Sequence, residues 1–272
     1  MQEPYIGRLA PSPTGLLHLG HAATFWQAFT RAREHHGTLL LRNEDLDPHR
    51  SRPDFVAAIL EDLTWLGIHW TPPIITQSKR LSLYRESLNQ LLITGHIYPC
   101  HCSRKDLAGM MHAPHEDADD EPIYPGTCRT KLQTNQPFQP NTNYRLRVPD
   151  KEAIHFEDRN LGLQSFTTSV DFGDFLIWRK DGIPSYQLAC VVDDAAMNIT
   201  EVVRGRDLLK STARQILLQR ALSLPTPAYF HTQLLTDEHG TRLAKRHDAL
   251  ALRTLRERGH TPADVRAMYQ ST

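Results

Sequence analysis

The first 42 residues predict a strand, a glycine-containing loop, a helix and a second strand in succession. Tyr5–Leu9 is a short strand candidate, and a Pro-Ser-Pro turn signal follows it. Apolar residues recur at helical spacing from about Gly20, and Gly37 marks the end of this helix. Thr38–Arg42 is the second strand candidate. Two strands joined through one helix form a right-handed βαβ unit with a parallel sheet, so we expect an α/β fold.

The carboxyl ends of these two strands are the expected place for a ligand site. Ligands of open parallel sheets bind in the crevice outside the carboxyl ends of the strands. The loop 11–15 follows the first strand, and the acidic cluster Glu44–Asp47 follows the second. Both segments are therefore expected to border one site.

The remainder of the chain alternates helix and strand signals, but an atypical segment interrupts it. Residues 98 to about 175 lose the helical period and are rich in Pro, Cys and His, which indicates an inserted subdomain. The other predicted elements are helices at 51–67, with a capping-box-like start at Ser51, and at 84–95, strands at Tyr144–Val148, Ile199–Arg204 and Phe230–Leu235, a helix at Asp207–Leu222, and helical segments starting near His247 and Thr261.

The charge balance and the cysteines restrict the class of protein. Lys plus Arg and Asp plus Glu both total 31, although from Val202 onwards 12 basic residues stand against 6 acidic ones. That basic third is compatible with a polyanionic ligand. No apolar run approaches the ~18–20 residues that span a bilayer, and the N-terminus lacks the features of a signal peptide. Three of the four cysteines cluster, which favours a metal site in a reducing compartment, and we expect a cytoplasmic protein.

Residues 11–21, PSPTGLLHLGH, are the most specific string in the chain. His18 and His21 stand three residues apart at the start of the predicted helix, with Gly20 between them. A helix N-terminus favours anions, so both imidazoles can be set against one anion, and Gly20 would let a flat ring or a phosphate approach the backbone. Each histidine taken alone is more often structural.

A second string, TRLAKRH at 241–247, is basic and follows the turn signal at 237–240. A flexible loop with three cations suits a transferring phosphate, because it can close over the charge that develops in the transition state. Taken alone, the string is more often only a solvated basic loop.

Together the two strings resemble the HIGH and KMSKS signatures of class I aminoacyl-tRNA synthetases, in the right order along the chain. Three further strings resemble the glutamyl and glutaminyl branch of that family, namely RLAPSPTG at 8–15, RNEDLD at 42–47 and VRGRDLL at 203–209. The second signature departs from the pattern, since Ala244 replaces the expected Ser and Arg242 the first Lys. Lys245 still matches the lysine that meets ATP.

The resemblance implies that the chain activates L-glutamate with ATP, on a Rossmann-like parallel sheet of the class I type. His18, His21 and Lys245 would be catalytic, and together with Gly20 they would bind ATP, which Mg²⁺ accompanies. The residues that would bind glutamate are Arg8, Leu9, Ala10, Pro11, Ser12, Glu44, Tyr186 and Arg204. Glu44 would hold the ammonium group, and Arg204 the side-chain carboxylate, because Arg presents the planar fork that a carboxylate fits. The alternative for Arg204 is a surface ion pair with Asp207.

Chain length favours the short paralogue within this branch. Only 26 residues follow Arg246, too few for the helical anticodon-binding region of a full-length enzyme. By this resemblance the protein, expected to be a monomer, would transfer glutamate to the queuosine base in the anticodon of tRNA(Asp). Three alternatives stay open: a truncated synthetase that charges the tRNA 3′ end, a nucleotidylyl transferase of the same fold acting on a small molecule, and a non-catalytic RNA-binding module.

A zinc site is also implied by the resemblance, with Cys100, Cys102, Tyr124 and Cys128 as the ligands. Zinc takes four ligands in a tetrahedron, and thiolates supply most of them in structural sites. Tyr is an unusual ligand, so three histidines remain alternatives for the fourth position, namely His101, His112 and His115. One structural zinc ion per chain is expected.

The expected organisation has four parts. Residues 1–97 and 176–235 would form the two halves of the catalytic domain, and residues 98–175 the inserted zinc-bearing subdomain. Residues 236–272 would form the KMSKS-like loop and a short helical C-terminus without an anticodon-binding domain.

Overall fold

The structure is a computed structural model that describes residues 4–103, 106, 123–129, 137–235 and 251–270. Its strands are β1 (Ile6–Leu9), β2 (Thr38–Asn43), β3 (Thr71–Thr76), β4 (Ile97–Cys100), β5 (Asn143–Leu146), β6 (Ala153–Asp158), β7 (Gly162–Thr167), β8 (Leu176–Trp178), β9 (Glu201–Gly205) and β10 (Ala228–Thr232). Its α-helices are α1 (Leu19–Glu34), α2 (Pro53–Trp65), α3 (Leu81–Ile93), α4 (Tyr186–Ala196), α5 (Leu209–Leu222), α6 (Leu252–Glu257) and α7 (Pro262–Gln270). No helix within these ranges is long and apolar enough to cross a membrane.

The chain divides into two compact units. The first comprises Met1–Lys79, Asn198–Arg206 and Pro227–Thr272, and the second comprises Arg80–Met197 and Asp207–Thr226. The chain therefore leaves the first unit after β3 and returns to it just before β9.

Parallel strands form the centre of the first unit, which confirms the predicted α/β class. β1 pairs in parallel with β2, and β2 with β3, while β9 pairs in parallel with β10. β1 also lies beside β9, since the Thr200 N–H donates to the Ile6 carbonyl at 2.9 Å and the Ile6 N–H donates to Thr200 Oγ1 at 2.9 Å. The strands β1-β2-β3 belong to one sheet and the pair β9-β10 to another, and the two sheets meet at β1 and β9. From this junction, chain order runs outward in opposite directions along the two sheets. Doubly wound sheets bind their ligands at such a point.

A buried carboxylate fixes this junction. Glu201, at the start of β9, is fully buried and accepts hydrogen bonds from the Tyr5 hydroxyl at 3.0 Å and from Arg31 Nη2 at 2.7 Å. The Arg31 guanidinium also lies 4.3 Å from the centre of the Phe230 ring. Residues before β1, on α1 and on β9 thus share one ion-pair network.

The apolar faces of the first unit close over this sheet. The buried residues of α1 (Leu19, Ala22, Phe25, Ala28 and Ala32) belong to one cluster with Leu9, Leu39, Leu41, Leu63, Val203, Leu252 and Val265. Gly37 allows the tight return from α1 to β2, because a Cβ there would lie 2.5 Å from the Tyr5 carbonyl oxygen.

Two features of the first unit differ from the sequence-based expectation. The helix α2 has Arg52 as its N-cap without a side-chain hydrogen bond, so the predicted capping box at Ser51 is wrong, and Pro53 begins the helix instead. β3 was not predicted, since two prolines in TPPIIT argue against a strand. The prolines are tolerated at this position because β3 lies at the edge of its sheet.

In the part of the second unit that the structure describes, antiparallel strands pack with the helices α3, α4 and α5. β5 pairs with β4 and with β8 in antiparallel fashion, and β6 and β7 form an antiparallel hairpin that was not predicted. The fully buried Asp193 on α4 accepts from Arg80 Nε and from the Tyr84 hydroxyl, both at 2.7 Å, which fastens α4 to the start of α3.

Asp62 on α2 has an electrostatically unfavourable position. It is 1% exposed, and within the described residues its Oδ2 has no hydrogen-bond partner. Burial raises its pKa from 3.8 to about 6, although Arg253 and Arg256 oppose the shift. Because the folded state holds this proton more tightly than the unfolded state, the contribution to stability is complete below about pH 4 and is lost as the pH rises through 6.

We therefore expect Asp62→Asn to gain stability relative to the parent protein between pH 4 and pH 7. The gain in the free energy of unfolding should reach on the order of 1–2 kcal/mol at pH 7. Urea unfolding at unit pH steps measures it, with Glu86→Gln as the control, since Glu86 is an exposed helix carboxylate that does not contribute to the Asp62 shift. A difference that stays constant from pH 4 to pH 7 would contradict the raised pKa.

Candidate active site

Two histidine rings cap the N-terminus of α1. His18 is the N-cap, and its Nδ1 accepts from the Gly20 N–H at 3.1 Å, while His21 Nδ1 accepts from the His18 N–H at 3.2 Å. The two ring centres are 3.7 Å apart. This reciprocal arrangement is a capping box built from imidazoles, and it satisfies two backbone donors that the first helical turn leaves unpaired.

The cap also sets the protonation of the rings. Burial, followed by the nearby His18, lowers the pKa of His21 from 6.5 to about 3, so His21 is neutral at physiological pH. An Nδ1 that accepts a hydrogen bond leaves the ring proton on Nε2 in a neutral imidazole. His21 can therefore act on an anion by donating from Nε2, rather than as a positive charge.

Gly20 lies directly beside the His18 ring. A Cβ at this position would lie 3.1 Å from Cε1 and 3.2 Å from Nδ1 of His18. A larger residue at position 20 would therefore force the His18 ring to shift within the cap.

Two buried arginines lie on the neighbouring strands β1 and β9. Arg8 is 4% exposed and donates from Nη1 to the Val203 carbonyl at 3.0 Å. Arg204 is also 4% exposed, and its Nε lies 3.4 Å from Nε2 of the buried His231. The alternative interpretation, in which Arg204 forms an ion pair with Asp207 at the protein surface, is therefore wrong.

The end of β2 supplies a carboxylate. Glu44 is buried, and its Oε1 accepts from Nη2 of Arg42 at 2.9 Å and from Nε at 3.2 Å. Its backbone N–H donates to the Pro11 carbonyl at 3.0 Å, so the loop after β1 and the end of β2 meet as expected. Sequence reasoning missed Arg42, which is fully buried, because its position in RNEDLD gives no sign that a guanidinium orients the glutamate.

The remaining predicted site residues are distributed as follows. Leu9 and Pro11 are buried, Ala10 is half-buried and Ser12 is exposed, all at the carboxyl end of β1. Tyr186 begins α4 of the second unit and is 40% exposed. Lys245 lies outside the described residues, as do His112 and His115. The chain returns beside the histidines at Ala251, which bridges to His18, and the Leu252 N–H donates to the Leu17 carbonyl at 2.8 Å.

A second constellation lies in the second unit, where three thiols and one phenol converge. The sulfur atoms of Cys100, Cys102 and Cys128 lie within 4.8 Å of one another, with Cys102 and Cys128 at 3.6 Å. The Tyr124 oxygen is 3.5 Å from Cys100 Sγ and 3.3 Å from Cys102 Sγ, and it accepts from the Cys128 N–H at 2.9 Å. His101 is exposed.

The Cys102–Cys128 sulfur distance and the two distances from sulfur to the Tyr124 oxygen are close to those around a tetrahedral zinc ion. Zn–S bonds of about 2.3 Å and a Zn–O bond of about 2.0 Å place sulfur atoms about 3.8 Å apart and sulfur and oxygen about 3.5 Å apart. Burial opposes ionisation of Cys128, but hydrogen bonding, first from Tyr124, outweighs it and lowers the pKa of this thiol to about 7. Burial, followed by hydrogen bonds to the three thiols, raises the pKa of Tyr124.

Comparison with known proteins gives a consistent family assignment. The family described as "tRNA synthetases class I (E and Q), catalytic domain" matches residues 6–269. A glutamyl-Q tRNA(Asp) synthetase from Symbiobacterium thermophilum is 44% identical over 271 residues, which cover 95% of this chain and 83% of that protein. The protein of the same name from Rhodobacter capsulatus is 43% identical, over 97% of this chain and 99% of the relative.

A solved structure shares the fold. A glutamate tRNA ligase from Elizabethkingia meningosepticum, in complex with its amino acid, matches with a TM-score of 0.76 at 30% identity. The match covers 90% of this chain and 52% of the ligase, so the chain spans about half the length of that protein.

The protonation of His21 is directly measurable. We expect its ring ¹³C and ¹⁵N resonances to stay constant between pH 5 and pH 8, with the proton on Nε2, because the pKa is lowered to about 3. Resonances are assigned by comparison with His21→Asn. A titration of His21 with a midpoint near pH 6.5 would show that the ring is charged in part at neutral pH, and would contradict the burial argument.

Proposed function

Because the chain belongs to the class I tRNA synthetase family for glutamate and glutamine, we propose that it activates L-glutamate with ATP and transfers the glutamyl group to the queuosine base in the anticodon of tRNA(Asp). The protein is thus a ligase that forms an aminoacyl-adenylate. One observation supports glutamate as the substrate: buried Arg8 and Arg204 on adjacent strands, with buried Glu44 at the end of the next strand. The relatives named glutamyl-Q tRNA(Asp) synthetase support the acceptor.

The charges of glutamate match this set of residues. Its two carboxylates require cationic donors, and its ammonium group requires an anion. In the proposal Arg204 binds the side-chain carboxylate and Glu44 binds the ammonium group, with its Oε1 oriented by Arg42. The family resemblance also assigns glutamate binding to Arg8, Leu9, Ala10, Pro11 and Ser12 of the first unit, and to Tyr186 of the second.

The chemistry requires no covalent enzyme intermediate. An α-carboxylate oxygen of glutamate attacks the α-phosphorus of ATP, and the bond from this phosphorus to the bridging oxygen breaks to release pyrophosphate. His18 and His21, with Gly20, face the phosphates, and His21 stabilises the developing charge through its Nε2 donor. Lys245 adds a positive charge, and Mg²⁺ accompanies ATP. A hydroxyl of queuosine then attacks the acyl carbon, an ester forms and AMP leaves.

The thiol and phenol cluster is proposed as a structural zinc site. Cys100, Cys102, Cys128 and Tyr124 would hold the ion, and the ion would stabilise the segment that contains them. The near-tetrahedral spacing of their atoms supports this assignment, and the exposed position of His101 favours Tyr124 as fourth ligand. The same proposal places a zinc-bearing insertion within residues 98–175. It also takes the protein to be a cytoplasmic monomer. Cysteines that form no disulfide fit the reducing conditions of the cytoplasm.

The acceptor assay tests the function. Labelled glutamate should appear on tRNA(Asp) that contains queuosine, and not on the same tRNA without this modification, as measured by ribonuclease digestion and mass spectrometry of the fragments. Glu44→Gln should lower the labelling rate more than ~10-fold, because the ammonium group loses its counter-charge. Glu34→Gln, a change at an exposed glutamate on α1, should leave it unchanged.

The position of the label separates the proposal from its rival. Label on the terminal adenosine fragment would identify a small synthetase that charges the 3′ end of tRNA. The similarity to the glutamate tRNA ligase makes this the relevant second candidate.

The metal content tests the cysteine cluster. Protein purified without chelator should contain about one zinc per chain by atomic emission. Cys102→Ser should lose the metal, whereas Cys190→Ser should keep it, since Cys190 lies buried in α4 away from the cluster. Equal metal content in the two variants would exclude the cluster as the site.

A further inference from the structure

Arg145 on β5 lies against the thiol and phenol cluster. Its side chain is buried, and Nε donates to Cys100 Sγ at 3.4 Å. The guanidinium carbon is 4.1 Å from the centre of the Tyr124 ring, within the range of a cation–π interaction. One guanidinium thus touches two of the four candidate zinc ligands.

The same guanidinium is held in place from its other side. Nη1 of Arg145 donates to the Asp174 carbonyl at 2.9 Å. The Asp174 carboxylate in turn accepts from the Tyr98 hydroxyl at 2.5 Å and from the Val148 N–H at 2.8 Å. The orientation of Arg145 towards the sulfur is therefore fixed by the backbone and not by the metal ligands alone.

The charge balance explains why an arginine stands here. The polar contacts of the Arg145 guanidinium among the described residues are with a sulfur and a backbone carbonyl, and a buried cation is stabilised by a nearby anion. Three thiolates around Zn²⁺ leave one net negative charge, or two if the phenol is also ionised. A buried guanidinium beside the ligands brings this total to zero or to minus one, which lowers the cost of burying the loaded site.

We propose that Arg145 is a positioning residue of the metal site. Its N–H to sulfur hydrogen bond orients Cys100, its stacking orients Tyr124, and its charge compensates the anionic ligand set. The inference rests on the proposed zinc site. Outer-shell partners of this kind typically contribute 10–100-fold to metal affinity.

The experiment measures zinc affinity by competition with a chelator of known strength, for the parent protein, Arg145→Met, Arg145→Lys and Arg147→Met. Arg147 is the matched control, since it stacks 5.5 Å from the Tyr98 ring and donates to the Arg129 carbonyl instead of a thiol. We expect Arg145→Met to bind zinc at least ~10-fold more weakly, Arg145→Lys to recover part of the loss through its charge, and Arg147→Met to stay within about twofold.

A spectroscopic measurement distinguishes this role from general stabilisation. The Co²⁺-substituted protein should show sulfur-to-cobalt charge-transfer bands that shift in Arg145→Met and not in Arg147→Met. Parent-like zinc affinity and unshifted bands in folded Arg145→Met would overturn the inference while leaving the zinc site intact. If Arg145→Met does not fold, parent-like affinity in Arg145→Lys would overturn the orienting role. Absence of cysteine-dependent zinc in the parent protein would instead refute the metal site itself.

Discussion

The fold of the first unit depends on one buried carboxylate, Glu201. A fully desolvated carboxylate is tolerated only when hydrogen-bond donors and an opposite charge compensate it; the Tyr5 hydroxyl supplies a neutral donor and Arg31 supplies the positive charge. The partners come from segments that are 170 or more residues away along the chain, so this contact forms only when β9 docks beside β1. The proposed glutamate site lies at this junction, and its two arginines, Arg8 and Arg204, stand on the two strands that meet there.

The opening βαβ unit was predictable because local signals agree there. Four signals indicate the same structure there: the strand-like segments, the helical spacing of apolar residues, the Pro-Ser-Pro turn and Gly37. The observed β1, α1 and β2 agree with the predicted elements within a few residues. The family resemblance was also predictable, since it rested on short strings whose order and spacing are specific. The matched family and its relatives confirm it.

What the sequence did not reveal depends on tertiary burial. Arg42 and Arg145 are buried cations within strands, whereas arginine side chains are mostly exposed in folded proteins. Their residue type alone therefore gave no sign of burial. Their partners, Glu44 and Cys100, become visible only when strands are paired and side chains are oriented. The contact between Gly20 and the His18 ring was not predicted for the same reason, because it forms only in the folded helix cap. β3 was missed because prolines weaken a strand signal that an edge position tolerates.

The contact between His18 and Ala251 has a consequence for the basic segment that precedes it. Lys245 stands six residues before Ala251, and six residues span at most about 20 Å. In the proposed reaction the helix cap faces the phosphates of ATP, and Lys245 is joined to this cap through Ala251, so the meeting of lysine and phosphate is an intramolecular event. Two groups joined by a short stretch of chain meet at effective concentrations of about millimolar order. In that proposal, covalent attachment keeps the lysine near the cap even where the residues around it depart from the signature.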